Sequence, residues 1–275
     1  MTTANRKQTH KIAVSINKGG ATKTTTAVHL AAGLAELGKT VLLIDADPQS
    51  EEGNVAKHLG VKGKDLTRSL YHFIVEGDKE AIYPARENLY IIRGGFELNT
   101  LRRDIDNRQI GGQYVFAEAF QPLEQIFDFI IFDTAPSWDS LNINTLFYAD
   151  EMIIPINLEG MTVSNLLDYL NRNLREIHKY RPQPLKWGYA LPTRHDKRTR
   201  QSAELLDQLG RFFNNTLMAN PDLQGKYANT MLCAPIRYNV SISEAAAHGM
   251  TVFEYAAKSR GAEDYRNFAR SVLGE

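Results

Sequence analysis

Apolar positions along this chain come in two rhythms that alternate with one another. Near-continuous apolar runs, Ile12-Ala13-Val14-Ser15-Ile16 and Thr40-Val41-Leu42-Leu43-Ile44, suit parallel strands covered on both faces. Between them Ala27, Leu30, Ala31, Leu34 and Leu37 recur at helical spacing, and Gly38 is placed to stop that helix. The pattern predicts a first strand over 11–17, its helix from about Thr24, and buried strands over 89–92, 129–132, 152–156 and 187–191. Helices are expected over 113–126, 163–179, 199–213 and 241–248. Strands alternating with helices make an α/β fold, a doubly wound and mostly parallel sheet flanked by helices. With no internal repeat, low-complexity block or Pro/Ser-rich linker, residues 11–275 read as one domain behind a disordered tail at 1–10. Residues 61–86 read as helices and loops covering one edge of the sheet, without legible chemistry.

Composition narrows the partners more than the fold. The 275 residues carry 32 Lys plus Arg against 32 Asp plus Glu, so no global field draws the chain to a polyanion and any such contact needs a local patch. The single cysteine, Cys233, excludes an intramolecular disulfide and a Cys-rich metal or cluster site within one chain, and suits a small apolar packing role. His10, His29, His58, His72, His178, His195 and His248 show no metal-ligand spacing. The first ten residues are polar, so no secretory leader is expected. No apolar run approaches the roughly 18 residues that span a bilayer. A cytoplasmic protein is the expectation.

The densest chemistry lies at the junction of the first strand and its helix, in Lys18-Gly19-Gly20-Ala21-Thr22-Lys23-Thr24-Thr25. A glycine pair and two lysines at such a junction make a phosphate-binding loop, because backbone N–H groups and the helix N-terminus supply positive potential. Lys23 can reach β- and γ-phosphates, and the Thr24 hydroxyl can ligate Mg²⁺. The common pattern G-x-x-x-x-G-K-Ser/Thr is not met strictly: Asn17 and Thr22 stand where glycines belong, and Lys18 is additional. The competing reading is an ordinary glycine-containing turn with incidental lysines. Two further acidic sites fit the carboxyl ends of neighbouring strands. Asp133 closes Phe129-Ile130-Ile131-Phe132, as a Walker B carboxylate that holds Mg²⁺ would; otherwise it is a loop or cap residue. In Asp45-Ala46-Asp47-Pro48-Gln49, alternate residues point to one side, so both carboxylates can face the phosphates, unless the segment is simply an Asp/Pro turn.

The variant K-G-G-x-x-K-T at 18–24 resembles the deviant Walker A box of the ParA/MinD family of P-loop ATPases, and the resemblance extends over about 11–273. Residues 127–137 are similar to the family's second switch, 149–155 to its next strand, and 239–249 to the segment beside the adenine. The resemblance implies ATP and Mg²⁺ as cofactors, with residues 18–25 on the nucleotide and Thr24, Asp47 and Asp133 on the metal side. It assigns Asp47 to orienting the hydrolytic water, with Asp45 nearer the metal shell. Lys18 is the family's signature lysine, which crosses to the γ-phosphate of a partner subunit and makes hydrolysis depend on an ATP-bound homodimer. Glu159 is either the resting partner of Lys18 across that interface or a helix-start acid. Arg237 is carried over as a nucleotide contact, although Arg237-Tyr238 stands where the family often has Pro-Arg.

Basic residues cluster despite the neutral total. Arg194, Lys197, Arg198 and Arg200 face only Asp196 in their segment, and Lys258, Arg260, Arg266 and Arg270 lie near the end. Corresponding surfaces of ParA-type proteins grip duplex DNA without reading sequence; the bland alternative is a solvated basic loop. The resemblance therefore implies a nucleoid-associated ATPase, stimulated by a ParB-like or other cargo adaptor, that segregates plasmid or chromosome DNA or positions a protein cargo. With the first strand starting near residue 11, no leading helix-turn-helix and no operator-specific repression are expected. The alternative, a MinD-like membrane-associated ATPase, calls for a basic amphipathic C-terminal helix. Residues 268–275 end on an acid and carry little apolar bulk, so no membrane contact is expected. An iron protein of the nitrogenase type needs two cluster thiolates, and Cys233 is alone.

Overall fold

A computed structural model describes residues 8–62, 66–160, 162–170, 173, 175–183, 185–213 and 231–275. Residues 1–7 of the expected tail, 63–65 of the edge-covering stretch 61–86, and 171, 172 and 174 of the helix expected over 163–179, lie outside the described residues. Among the described residues eight strands form one sheet: β1 (His10–Val14), β2 (Val41–Ala46), β3 (Tyr83–Arg86), β4 (Leu89–Ile92), β5 (Phe129–Thr134), β6 (Glu151–Asn157), β7 (Lys186–Thr193) and β8 (Met231–Leu232). Their order is β3-β4-β2-β5-β1-β6-β7-β8, and every pairing is parallel except β3 with β4. The expected doubly wound parallel sheet is the one observed.

The order places the chemistry. From β1 the chain passes through α1 (Lys23–Glu36) to β2 on one side, while β5 returns to β6 on the other side of β1. That reversal opens a crevice at the carboxyl ends of β1, β2 and β5, the position where open α/β sheets take ligands. Register delivers the residues: Val14 pairs with Asp133, and Asp45 with Asp133. β2 and β5 are buried throughout, which explains their unbroken apolar runs.

Helices cover both faces. On one, α1 packs with α2 (Asn54–His58), α10 (Val252–Tyr255) and α11 (Arg260–Leu273), which buries Tyr265, Phe268, Ala269 and Val272. On the other, α3 (Leu98–Asp106), α4 (Val115–Phe120) and α5 (Ser140–Tyr148) close over an aromatic core of Phe116, Phe120, Phe132 and Tyr148. Around Trp187 the sheet is covered by α6 (Val163–Tyr169), α7 (Arg175–Tyr180) and α8 (Arg200–Arg211); α9 (Val240–Ala247) leads into α10. Among the described residues no helix is long and apolar enough to cross a membrane.

Several expectations need correction. The first strand ends at Val14 because residues 15–22 turn into the loop. The helix expected over 113–126 is only α4, flanked by 3-10 turns at Gly112–Tyr114 and Gln121–Leu123, where Pro122 interrupts the ladder. Residues 61–86 contain the antiparallel edge strand β3, which Pro84 hides from pattern reading and which an edge position tolerates.

Candidate functional site

The loop after β1 is shaped by two left-handed residues, Gly20 at φ 69° and Thr22 at φ 62°. Glycine adopts that conformation freely, whereas a threonine there is strained and has to be held. Thr22 Oγ1 donates to Ala21 O at 2.6 Å and lies 2.9 Å from Thr193 Oγ1 on β7. Asn157 at the end of β6 donates its amide to Gly20 O at 2.9 Å. A methyl group added at Gly19 or Gly20 would meet nothing within 4 Å, so the mouth of the loop is open. The N-terminus of α1 has no side-chain cap and no acidic residue in its first turn. Its N–H groups are therefore available to an anion.

Lys23 opens that helix and is buried, its ammonium donating to Lys18 O at 3.0 Å. Burial pulls its pKa down, opposed by the carboxylates of Asp133 and Asp47. Lys18 turns away from the loop and donates to Gly160 O and, at 3.2 Å, to Asn165 Oδ1. Glu159 does not pair with it within the chain; it binds Arg194 at 2.6 Å instead.

Three carboxylates are buried here, and two of them, Asp133 and Asp47, act on Lys23. Asp133 accepts the Thr24 hydroxyl through Oδ2 at 2.6 Å, while its Oδ1 is buried with no hydrogen-bond partner. Burial and the neighbouring Asp45 push its pKa well up, against the pull of Thr24 and Lys23. Asp45 accepts Asp47 N and Val55 N, each at 3.0 Å. Burial raises it to about 6, and those N–H bonds oppose the rise. Asp47 is raised by burial too, with its Oδ1 accepting Gln49 N at 2.9 Å and Lys23 opposing.

Two acids near one buried ammonium, a third beside Asp133, and an orphaned oxygen next to a threonine hydroxyl fit a hard divalent cation with oxygen ligands. Among the described residues no group of three or more His, Cys, Asp or Glu is arranged to hold a metal by itself. Mg²⁺ suits such a site because it keeps waters and shares phosphate oxygens.

Beyond Thr22 a cavity of about 70 Å³ is lined by Thr25, Thr193, Ile236, Arg237, Asn239 and Tyr265, among others. Arg237 thus reaches the loop's neighbourhood, but its guanidinium is taken by Asp264 at 2.6 Å and Glu263 at 2.6 Å. An open groove of about 540 Å³ next to it gathers Lys197, Arg198, Arg237 and Arg260 with His195, Tyr238 and one acid, Asp196.

The expected basic surface is only partly assembled. Arg198 pairs with Asp196 at 2.8 Å, Arg200 with Glu204 at 2.5 Å, and Arg266 with Glu36 at 2.9 Å, outside the groove. Lys197, Lys258 and Arg260 have no ion-pair partner among the described residues. Sequence reading missed Thr193 and Asn157, each the polar last residue of a strand, and Asn165, which lies in the first turn of α6.

Comparison with known proteins agrees with this geometry. A family profile described as an AAA domain matches residues 9–186. The sporulation initiation inhibitor protein Soj of Bacillus subtilis is 33% identical over 264 residues, 95% of this chain and 97% of that protein. A crystal structure of cobyrinic acid a,c-diamide synthase from Mycobacterium smegmatis with bound ADP and magnesium matches at TM-score 0.76 and 28% identity, covering 96% of this chain and 94% of the other. The Cyanothece McdA–ATP complex matches at TM-score 0.77 over 97% of each chain; at 21% identity it speaks for the fold alone.

Proposed function

The chain belongs to the ParA/MinD family of deviant Walker A P-loop ATPases, and from that premise we propose that it hydrolyses ATP with Mg²⁺ and uses the bound nucleotide to switch between a monomer and a DNA-binding dimer. One observation carries the reading. An uncapped helix N-terminus and the buried Lys23 face a fully buried Asp133 whose second oxygen has no partner. The phosphates would take the N–H groups of residues 19–25 and the Lys23 ammonium. Thr24 and Asp133 would hold Mg²⁺, with Asp47 on the same side and Asp45 behind. When bound, the cation neutralises charge on the β- and γ-phosphates. Asp47 spends one oxygen on the Gln49 N–H, and its other oxygen would orient the attacking water.

Lys18 would act in trans, leaving Gly160 and Asn165 for the γ-phosphate of a partner subunit, as a supplied arginine does in other NTPases. Dimerisation would double the groove that holds Lys197, Arg198 and Arg260, and the doubled surface would grip duplex DNA by its phosphates. A ParB-like protein or another cargo adaptor would stimulate hydrolysis, so that a plasmid, a chromosome or a protein assembly is moved over the nucleoid in the cytoplasm. The MinD-like alternative needs a free amphipathic helix for the membrane surface. The packing of α11 into the core weighs against that role.

Sedimentation velocity tests the switch. The parental protein should dimerise with ATP-Mg²⁺ and stay monomeric with ADP. Lys18→Ala should still bind nucleotide through Lys23 and the loop, yet remain monomeric and inactive. A Lys18→Ala variant that dimerises and hydrolyses like the parent would contradict the role in trans.

A further inference from the structure

Arg93 follows β4, one step beyond the Ile44–Ile92 pair, and so stands beside Asp45 at the rim of the crevice. It is 6% exposed. A guanidinium has five N–H donors, and all five are used here. Nε donates to Leu66 O at 3.1 Å. Nη1 donates to Glu51 O at 3.2 Å and Gly94 O at 2.8 Å. Nη2 donates to Thr67 O at 3.1 Å and Glu97 Oε1 at 3.1 Å. One buried side chain thereby ties three separate segments together: the loop after Asp47, residues 66–67, and the turn 94–97.

The turn it clamps presses on the backbone of Asp47 and on the side chain of Asp45. A Cβ on Gly94 would lie 2.8 Å from Asp47 O and 2.9 Å from Asp45 Cγ. A Cβ on Gly53, at φ 82°, would lie 2.9 Å from Gly94 N and 3.1 Å from Asp45 Oδ2. The backbone of 94–95 and that of the 47–53 loop are therefore in contact with no slack, with the Asp45 carboxylate against both and the Asp47 carbonyl against Gly94. A buried cation with a single carboxylate partner is a costly way to fill space, since an apolar side chain would pack without desolvating a charge. What the guanidinium adds is a fixed fork geometry that sets the position of the Glu51 carbonyl.

We propose that Arg93 is a positioning residue for hydrolysis: its guanidinium holds the loop that carries Asp47 in register with the end of β4. This rests on the reading of Asp47 as the carboxylate that orients water. Because Arg93 touches neither the phosphate loop nor Lys23, its loss should spare nucleotide affinity and lower turnover.

The test compares Arg93→Lys, Arg93→Met and Asp47→Ala with the parent. Fluorescent-ATP titration gives affinity, DNA-stimulated hydrolysis gives kcat and KM, and thermal melting gives stability. All kinetics are run well below each variant's own melting midpoint. Both Arg93 variants should bind ATP within about threefold of the parent while kcat falls roughly ten- to hundredfold, the usual effect of a small misplacement. A lysine cannot reproduce the fork, so Arg93→Lys should fail to rescue kcat even if its melting temperature is parental. A folded Arg93→Lys with parental kcat would overturn the proposal, whether or not Arg93→Met folds. So would a parallel loss of affinity and turnover that tracks stability. Parental hydrolysis by Asp47→Ala would instead overturn the underlying assignment of Asp47, which keeps the two failures apart.

Discussion

His58→Leu should make the protein relatively more stable as pH falls, and the structure sets the size of the effect. His29 and His58 lie with ring centroids 5.4 Å apart behind the phosphate loop, and His29 stacks on Tyr265 at 4.7 Å. His29 Nδ1 meets Thr25 O at 2.7 Å and its Nε2 accepts Val252 N at 3.0 Å, a pattern that only the neutral ring satisfies. His58 Nε2 is buried without a hydrogen-bond partner. Burial lowers His29 to about 3, helped by His58, and lowers His58 to about 4. The unfolded chain therefore binds protons that the native state refuses, so each histidine's contribution is intact above pH 6.5 and is lost as pH falls toward those values. At about pH 5 the refusal by His58 costs the native state about 2 kcal/mol. Asp45 works in the opposite sense: raised to about 6, it takes up its proton natively first and adds stability as pH falls through that value. A bare acid titration would mix the two. The difference between parent and His58→Leu removes the aspartates from the comparison. Urea unfolding at about pH 7.5 and pH 5 should show the variant gaining about 2 kcal/mol on the parent between them. An unchanged difference would refute the claim that His58 is held neutral by burial.

Lys23→Ala should abolish nucleotide binding in a fluorescent-ATP titration, because the β/γ-phosphate charge loses its buried cation. The loss should exceed tenfold, of the order expected for breaking a charge-assisted contact. Asp133→Asn should remove Mg²⁺-dependent hydrolysis and yet raise the melting temperature of the nucleotide-free protein by a few degrees, since an amide carries no desolvated charge beside Asp45. Calorimetry without Mg²⁺ checks this, and a lower melting temperature would mean that the ionised Asp133 is already compensated.

Much of this site was legible because its chemistry is contiguous. Residues 18–25 lie in one stretch, and Asp45 and Asp133 each end an unbroken apolar run that fixes a parallel strand. Strand 89–92 was read to the residue because nothing interrupts its pattern. What escaped depends on strand order, which no local pattern encodes. Lys18 reaches Gly160 and Asn165 only because β6 lies next to β1. Arg266 and Glu36 are 230 positions apart and meet only through the packing of α11 on α1. Helix α5 was missed because it buries Asn142, Asn144 and Thr145 where an apolar stripe is sought, and the bonds of both asparagines to loop carbonyls explain their burial. Arg93 drew no reading from the sequence, because its five acceptors come from segments that only the fold brings together.

The central claim, that nucleotide state controls DNA binding, is tested most directly by fluorescence anisotropy on two unrelated duplexes across a salt series, with ATP-Mg²⁺ and with ADP-Mg²⁺. Each phosphate contact adds about −0.9 to the slope of log affinity against log salt, so a dimer with two basic grooves should bind steeply and one protomer weakly. Lys197→Glu, which changes a groove lysine with no ion partner among the described residues, should flatten the slope and weaken both duplexes alike while ATP binding is kept. The account predicts tight, sequence-blind, salt-sensitive binding with ATP and little with ADP. Equal affinity in the two nucleotide states, or none in either, would contradict it.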